Sequence, residues 1–334
     1  MKAIVTGGTG FIGSHLVDRL LCEDNVVTVV DNLSCGCLEN LAHHYGNSSL
    51  TIEKVDIKDG ARLNRIFDGH DVVFHLAAHA NIRSSLTDHR VDLENNLIGS
   101  LNVLDAMVKN KIQNLVFASS SAVYGDAKVR PTPEDYSPLQ TSLYGASKMA
   151  CEAYAEAFAE FAPIKFWSFR FANVVGERCR RGVVWDFVHK LISNPYELEI
   201  LGDGKQSKEY LYVKDCVDGM LLGYERTSNK VNLFNLGLEK QTLVDEVADI
   251  VIDEINLSNV KRRYTGGSRG WIGDNPIVEL SMDKLKSIGW KPKCSPEEAL
   301  RRTAKWTIKN TLRSPESIPI QAPLYEAKEI DPFP

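Results

Sequence analysis

Several things are scarce in this 334-residue chain, and each scarcity excludes a class of protein. No apolar run approaches the ~18 residues that a membrane-spanning helix needs. Apolar stretches such as Val26–Val30 and Val72–Phe74 have strand length. The opening Met1-Lys2-Ala3-Ile4-Val5-Thr6 lacks the apolar core and cleavage site of a secretory signal. Basic residues are not in excess, since 39 Lys and Arg face 44 Asp and Glu for a net charge of −5. That balance argues against a nucleic-acid binder, which carries a basic stripe. Arg178, Arg180 and Arg181 form one short basic cluster, and Lys261-Arg262-Arg263 another. Clusters this short suit a phosphate group or a solvated surface. The seven cysteines are odd in number and scattered, which suits free thiols in a reducing cytoplasm. Cys35-Gly36-Cys37 is too closely spaced for a Cys-x-x-Cys pair. No Cys/His set has metal-ligand spacing, so no metal is expected. The adjacent His43 and His44 would diverge on a helix and read as surface. Internal repeats and low-complexity tracts are absent as well.

What is present has ordinary globular proportions, with 43% hydrophobic and 25% charged residues. At ~150 residues per domain the length suits two domains, with a core that needs no disulfides. Strand and helix patterns alternate through the first half. Ala3–Val5, Val26–Val30, Leu50–Val55, Asp71–Leu76, Leu115–Ala118 and Phe166–Phe171 read as strands. Leu97, Leu101, Leu104 and Val108 make one helical stripe, and Tyr144–Phe161 reads as a long helix. Nearly continuous apolar strands suit a parallel sheet covered on both faces. The expected fold is therefore α/β with a doubly wound parallel sheet. Beyond residue 175 the pattern loosens. Helices are expected at Val184–Ile192 and Leu243–Ile255, with short strands at Glu209–Val213 and Val231–Leu236. The expected division is 1–175 for the sheet domain, 176–312 for a smaller α/β domain with some chain exchange between the two, and 313–334 for a proline-rich tail.

The strongest local signal is Gly7-Gly8-Thr9-Gly10-Phe11-Ile12-Gly13. It follows the first strand and opens an amphipathic helix, the context that a dinucleotide loop requires. Its glycines allow a tight turn and close backbone approach to a pyrophosphate, and the helix N-terminus offers free N–H groups to the anion. Asp31 ends the second strand, 18 residues past Gly13. A carboxylate there accepts from the adenosine ribose hydroxyls and repels a 2′-phosphate, which favours NAD over NADP. The sheet is thus expected to be a Rossmann fold.

Tyr144-Gly145-Ala146-Ser147-Lys148 sets a phenol and an ammonium four residues apart on one helical face. A fixed positive charge beside a phenol lowers its pKa from ~10. Tyr144 is then a candidate general acid or base. Ser119, Ser120 and Ser121 follow the fifth strand at the carboxyl edge of the sheet, where such folds bind ligands.

These segments, with His75-Leu76-Ala77-Ala78 and Ser119–Gly125, resemble the extended short-chain dehydrogenase/reductase family. Arg170–Gly176 and Gly202-Asp203-Gly204 through Asp215 extend the resemblance over roughly residues 1–312. Within that family the chain is most similar to the UDP-glucose (UDP-galactose) 4-epimerases. The resemblance implies a homodimeric NAD enzyme that oxidises a nucleotide sugar at C4 and reduces it again from the opposite face. It implies Ser120, Tyr144 and Lys148 as the catalytic set, with Ser121 the rival of Ser120. Gly7, Gly10, Phe11, Ile12, Gly13, Asp31, Asn32, Ser34, Asp56 and Ile57 would contact the cofactor. So would Leu76, Ala77, Ala78, Asn95 (its rival is Asn96), Ser119 and Phe171. The UDP-sugar would meet Asn173, Lys208, Tyr210, Arg269, Asp274 and Val278, besides Ser120 and Tyr144.

Lys208 stands where the family usually has Arg, and lysine loses the bidentate fork toward a phosphate. Related dehydratases and decarboxylases carry an acid just after the catalytic Ser or Thr. Here Ser121 and Ala122 occupy those positions. Val278 would gate the sugar pocket and is moderate in size, which leaves N-acetylhexosamines open. Arg83 and Arg178 are possible sugar contacts, which leaves UDP-glucuronate open. A net nucleotide-sugar dehydrogenase or reductase and a binding-only nucleotide sensor are the other readings. The implied dimer joins helices at about 95–110 and 144–162 in a four-helix bundle, with Met149, Cys151, Tyr154, Ala155 and Phe158 as its apolar surface.

Overall fold

Alternate residues of the first strand, β1 (Lys2–Thr6), face opposite ways. Ala3 and Val5 join one apolar cluster, and Ile4 joins another. The computed structural model of the chain describes residues 1–137 and 139–313. The proline-rich tail lies outside the described residues. After β1 the chain runs α1 (Phe11–Cys22), β2 (Val26–Asp31), β3 (Leu50–Lys54), α2 (Gly60–Ile66), β4 (Val72–His75), α3 (Gly99–Lys109), β5 (Asn114–Ser120), α4 (Leu143–Phe161) and β6 (Lys165–Phe171). It continues with β7 (Asn173–Val175), α5 (Val183–Ser193), β8 (Glu197–Ile200), β9 (Ser207–Tyr212), α6 (Val213–Arg226), β10 (Val231–Leu236) and β11 (Gln241–Leu243). Then come α7 (Val244–Ile255), β12 (Lys261–Tyr264), α8 (Asp283–Ser287) and α9 (Pro296–Arg313).

Seven strands form one parallel sheet in the order β10-β6-β5-β4-β1-β2-β3. Leu16, Val17 and Leu20 of α1 cover one face together with Val217, Met220 and Leu221 of α6. Leu63 of α2, Val103 and Leu104 of α3, and Cys151 and Ala155 of α4 cover the other. Strand order reverses between β1 and β4. The crevice outside the carboxyl ends of those two strands is where this architecture binds ligands. No described helix is long and apolar enough to cross a membrane.

β10 differs from the sequence expectation. It was read as part of the smaller domain, yet it forms the edge of the large sheet. Its inward residues Phe234 and Leu236 are buried in the main core, and Phe234 stacks on Phe169 with ring centroids 5.5 Å apart. The remaining strands form two small sheets, β11-β9-β7 and β12-β8. A separate apolar cluster lies among α5, α7 and α9, with Phe187, Leu198, Val247 and Leu300 at 3% exposure or less.

Two surface expectations also change. Cys151 and Ala155 of α4 are buried against the chain's own sheet, so they offer no interface. Tyr154 stays exposed, and Met149 and Phe158 are half-buried. His43 and His44 close a 3-10 turn (Leu38–His44), and their rings converge with centroids 4.1 Å apart. Divergence was expected. They converge because both Nε2 atoms reach one carboxylate oxygen, Oδ1 of Asp18.

Candidate active site

The glycine loop leads from β1 into α1, whose first residue is Phe11. Gly10 precedes the helix with no side-chain cap, so the first N–H groups stay free for an anion. A Cβ on Gly13 would lie 2.1 Å from the carbonyl oxygen of Gly7, so only glycine lets the helix approach the loop this closely. Phe11 and Ile12 pack against the smaller apolar cluster, and Ile12 also touches the main one. Thr6 Oγ1 holds His75 Nδ1 at 2.6 Å and accepts from Ala77 N–H at 3.2 Å. Leu76, Ala77 and Ala78 are thereby laid alongside the glycine loop. Burial pushes the His75 imidazole down to about 3, with Lys148 adding to the shift, so the ring is a neutral tie. Its Nε2 lies 2.8 Å from Ser100 Oγ.

Asp31 ends β2 and is buried. Its Oδ2 accepts from Thr9 N–H at 3.1 Å and Thr9 Oγ1–H at 2.7 Å, and its Oδ1 accepts from Leu33 N–H at 2.9 Å. A carboxylate has about four acceptor sites, so capacity remains for a ribose hydroxyl. Asn32 donates to Asp56 Oδ2 at 3.0 Å, and Asn32 Oδ1 accepts from Ser34 N–H at 3.0 Å. Ile57 is buried under Gly99. These residues form one rim beside the strand-order reversal. Asn95 and Asn96 lie in a π-helical turn (Leu93–Ile98) ahead of α3. Asn95 is half-buried and donates to Val91 O at 2.7 Å. Asn96 is buried and donates to Ser147 Oγ at 2.9 Å, tying this turn to α4.

The proposed catalytic residues converge at the ends of β5 and α4. Ser120 ends β5, and its Oγ accepts from Ala122 N–H at 3.2 Å. Ser142 caps α4 by accepting from Gly145 N–H at 3.0 Å. A Cβ on Gly145 would lie 2.4 Å from Ala122 O. Glycine there lets the first turn of α4, which carries Tyr144, close on the turn that follows Ser120. Lys148 is buried, with Nζ donating to Ala118 O at 2.8 Å and lying 4.6 Å from the centre of the Phe117 ring. Ser119 Oγ is buried with no protein partner among the described residues. A buried, unpaired hydroxyl next to Ser120 at the carboxyl end of β5 fits a polar ligand such as NAD. Phe171 is buried at the end of β6, opposite Ser120.

The expected effect of Lys148 on Tyr144 is corrected. Burial raises the Tyr144 phenol above its usual value, and the opposing influences are the Arg181 charge and the Ser120 hydrogen bond. The Lys148 ammonium is turned to a backbone carbonyl, and its own pKa is pushed down to about 8 by burial. Arg178, read from the sequence as a sugar contact, is engaged through one nitrogen. Its Nη2 pairs with Asp18 Oδ2 at 2.8 Å, whereas Arg181 is the member of that cluster whose charge reaches Tyr144 and Lys148.

The residues read as sugar-nucleotide contacts also meet, though largely by pairing with one another. Lys208 on β9 forms an ion pair with buried Asp274 Oδ1. Asp274 Oδ2 accepts from Gly270 N–H at 3.0 Å, and Arg269 Nη1 donates to Asp274 O at 2.7 Å. Arg269 also pairs with Asp126, which the sequence reading missed. Asn173 donates to Glu209 O at 3.3 Å, and β7 holds it opposite Tyr210 of β9. Tyr210 is buried, and burial raises its phenol. Val278 packs half-buried against the main core. Trp271 was also missed. Arg83 lies 4.5 Å from the centre of its ring and Lys208 Nζ 5.1 Å, while its indole N–H is buried and unpaired among the described residues. Its position between Arg269 and Asp274 was the available signal.

Comparison with known proteins places this geometry. The model of the NAD dependent epimerase/dehydratase family matches residues 3–237. A UDP-glucose 4-epimerase from Thermotoga maritima, solved with UDP-glucose, is 36% identical with a TM-score of 0.84, over 93% of this chain and 100% of that one. A UDP-N-acetylglucosamine 4-epimerase from Methanobrevibacter ruminantium, solved with UDP-N-acetylmuramic acid, is 35% identical with a TM-score of 0.83, over 92% and 98%. A UDP-N-acetyl-alpha-D-glucosaminuronate decarboxylase of Bacillus cytotoxicus is 29% identical over 91% of this chain and 97% of its own length.

Proposed function

Because the chain belongs to the NAD dependent epimerase/dehydratase family, we propose that it is a nucleotide-sugar 4-epimerase that interconverts UDP-glucose and UDP-galactose. The observation that carries this reading over dehydration or decarboxylation is the turn after Ser120. Ser121 and Ala122 present a hydroxyl and a methyl group there, with no acid for proton transfer beyond C4. The carboxylate whose charge reaches Tyr144, Asp92, is buried and committed to His79 Nδ1 and Ser85 Oγ.

In this reading bound NAD supplies the hydride acceptor and donor at C4. Gly7 through Gly13, Asp31 and the 76–78 segment would hold it, with Ser119 offering its spare hydroxyl. Tyr144 takes the proton of the sugar 4-OH and later returns one. Ser120 holds the same oxygen. Lys148 would hold the nicotinamide ribose, while the Arg181 charge offsets part of the cost of a buried phenolate. Lys208, Arg269 and Asn173 hold the diphosphate while the 4-keto sugar turns over between them. That requires Lys208 and Arg269 to exchange their carboxylate partners for phosphate. The sheet domain (1–175) and the smaller unit (176–312) would contribute the two walls. A cytoplasmic homodimer through α3, the turn ahead of it, and α4 would use exposed Leu93, Ile98, Tyr154 and Phe161.

A second reading, 4-epimerisation of UDP-glucuronate, rests on two cations near the site, Arg83 over Trp271 and Arg181 toward Tyr144. One experiment separates these. Purified protein is given UDP-glucose, UDP-N-acetylglucosamine or UDP-glucuronate without added NADH, and products are followed by NMR. Conversion of UDP-glucose to its 4-epimer is expected. Turnover confined to another of the three moves the substrate assignment. NADH formed in step with substrate loss replaces the epimerase with a net dehydrogenase.

A pH dependence follows from Lys148. Below about 8 it is an ammonium, and above that value it loses the charge with which it would hold the nicotinamide ribose hydroxyls. kcat/KM reports the free enzyme, so its profile should fall on an alkaline limb centred near pH 8. A profile that stays flat through that pH contradicts a role for the Lys148 charge.

A further inference from the structure

We infer that Asp18, His43 and His44 form a site for a divalent transition-metal ion, with Zn2+ as its representative. The three residues come from two elements, α1 and the 3-10 turn ending at His44. Both imidazole Nε2 atoms lie 2.9 Å from one oxygen, Asp18 Oδ1. The three ligand atoms all lie within 4.8 Å of one another. A tetrahedral Zn2+ with bonds of about 2.0–2.1 Å needs its ligand atoms roughly 3.3 Å apart. Both nitrogen–oxygen gaps are already shorter than that, so the ion would spread them slightly. These are adjustments on the scale of a side-chain rotation.

Two imidazoles and a carboxylate suit Zn2+ and its neighbours, whereas Ca2+ takes six or more oxygens. A single cation would replace both imidazole–carboxylate contacts with metal bonds to the same three atoms. The other carboxylate oxygen, Oδ2, is held by Arg178, so the metal would bind Oδ1 and leave that ion pair in place. Asp18 and His43 are partly exposed, which leaves coordination positions for water.

Such an ion would clamp the turn to α1. The same turn already reaches the glycine loop, because Cys37 N–H donates to Thr9 O at 3.1 Å and Asn40 Nδ2 donates to it at 2.8 Å. Metal binding should therefore raise the melting temperature by mass action on the folded state. None of this depends on the sugar the enzyme uses.

The test titrates Zn2+ into the full chain, freed of metal and kept reduced, against a chromophoric chelator. One equivalent is expected to bind. His43→Ala, His44→Ala and Asp18→Asn should each weaken it by at least about tenfold, while Cys35→Ser/Cys37→Ser leaves it unchanged. Absence of stoichiometric binding, its persistence in all three ligand variants, or its loss with the cysteines overturns the site. Co2+ added to the unaltered chain gives a second readout that needs no variant. Bands of nitrogen and oxygen ligation without a thiolate charge-transfer band are expected, and a thiolate band at one equivalent overturns the assignment.

Discussion

Tyr144→Phe is expected to lower kcat by about 10²- to 10⁴-fold, the range a positioned proton donor or acceptor contributes. The substitution removes one oxygen and keeps the ring. The first turn of α4 rests on the Ser142 cap and on the contact of Gly145 with Ala122, neither of which involves the phenol. Structure and nucleotide affinity should therefore persist. The decisive comparison is kcat beside the Kd for UDP-sugar, measured on the same preparation. A large fall in kcat with Kd within a few fold supports proton transfer at Tyr144. An equal loss in both assigns Tyr144 to binding alone.

Arg170→Met should produce the largest loss of stability. Arg170 on β6 and Glu152 on α4 are both buried and meet in a forked ion pair, with Nη2 to Oε2 at 2.7 Å and Nε 3.2 Å from each oxygen. Ser168 Oγ donates to the same carboxylate at 2.8 Å. The guanidinium also donates to Tyr124 OH and to Glu134 O, and Tyr124 passes the network on to Asn235 at the sheet edge. Removing one member of a buried pair strands the other charge, at a cost of about 3–5 kcal/mol. Replacing both members by apolar groups strands nothing. Glu152→Leu/Arg170→Met should thus be more stable than Arg170→Met alone in urea unfolding. Equal losses in the two would mean that packing, not the charge, sets the cost. Glu298→Ala on the exposed helix α9 serves as contrast, since its half-exposed pair with Arg302 should be worth no more than about 1 kcal/mol.

The Arg170 network was invisible along the chain. The motif around Arg170 was legible as a resemblance, but its partner lies 18 residues away on another element, chosen by how α4 packs on β6. Lys148 teaches a related lesson. Its spacing from Tyr144 placed both on one helical face, which held. Where its ammonium points depended on the carbonyl of Ala118, 30 residues away on β5. A spacing rule locates a pair, and the surrounding burial then sets its charge state.

What could be read from order along the chain was local. The glycine loop, the apolar strands, the helix carrying Tyr144 and Lys148, and the family itself each depend on residues that are neighbours in sequence. Short-range sterics and periodic patterning act on such residues before anything folds. Folding in three dimensions decided what residues far apart do to one another. It moved β10 into the large sheet, set Lys208 against Asp274 and Arg269 against Asp126, buried Cys151 and Ala155, and turned His43 and His44 onto Asp18. Those partners are 25 to 143 positions apart where side chains pair. Packing of whole elements brings them together, and only then do Coulomb forces and hydrogen bonds select among the groups within reach.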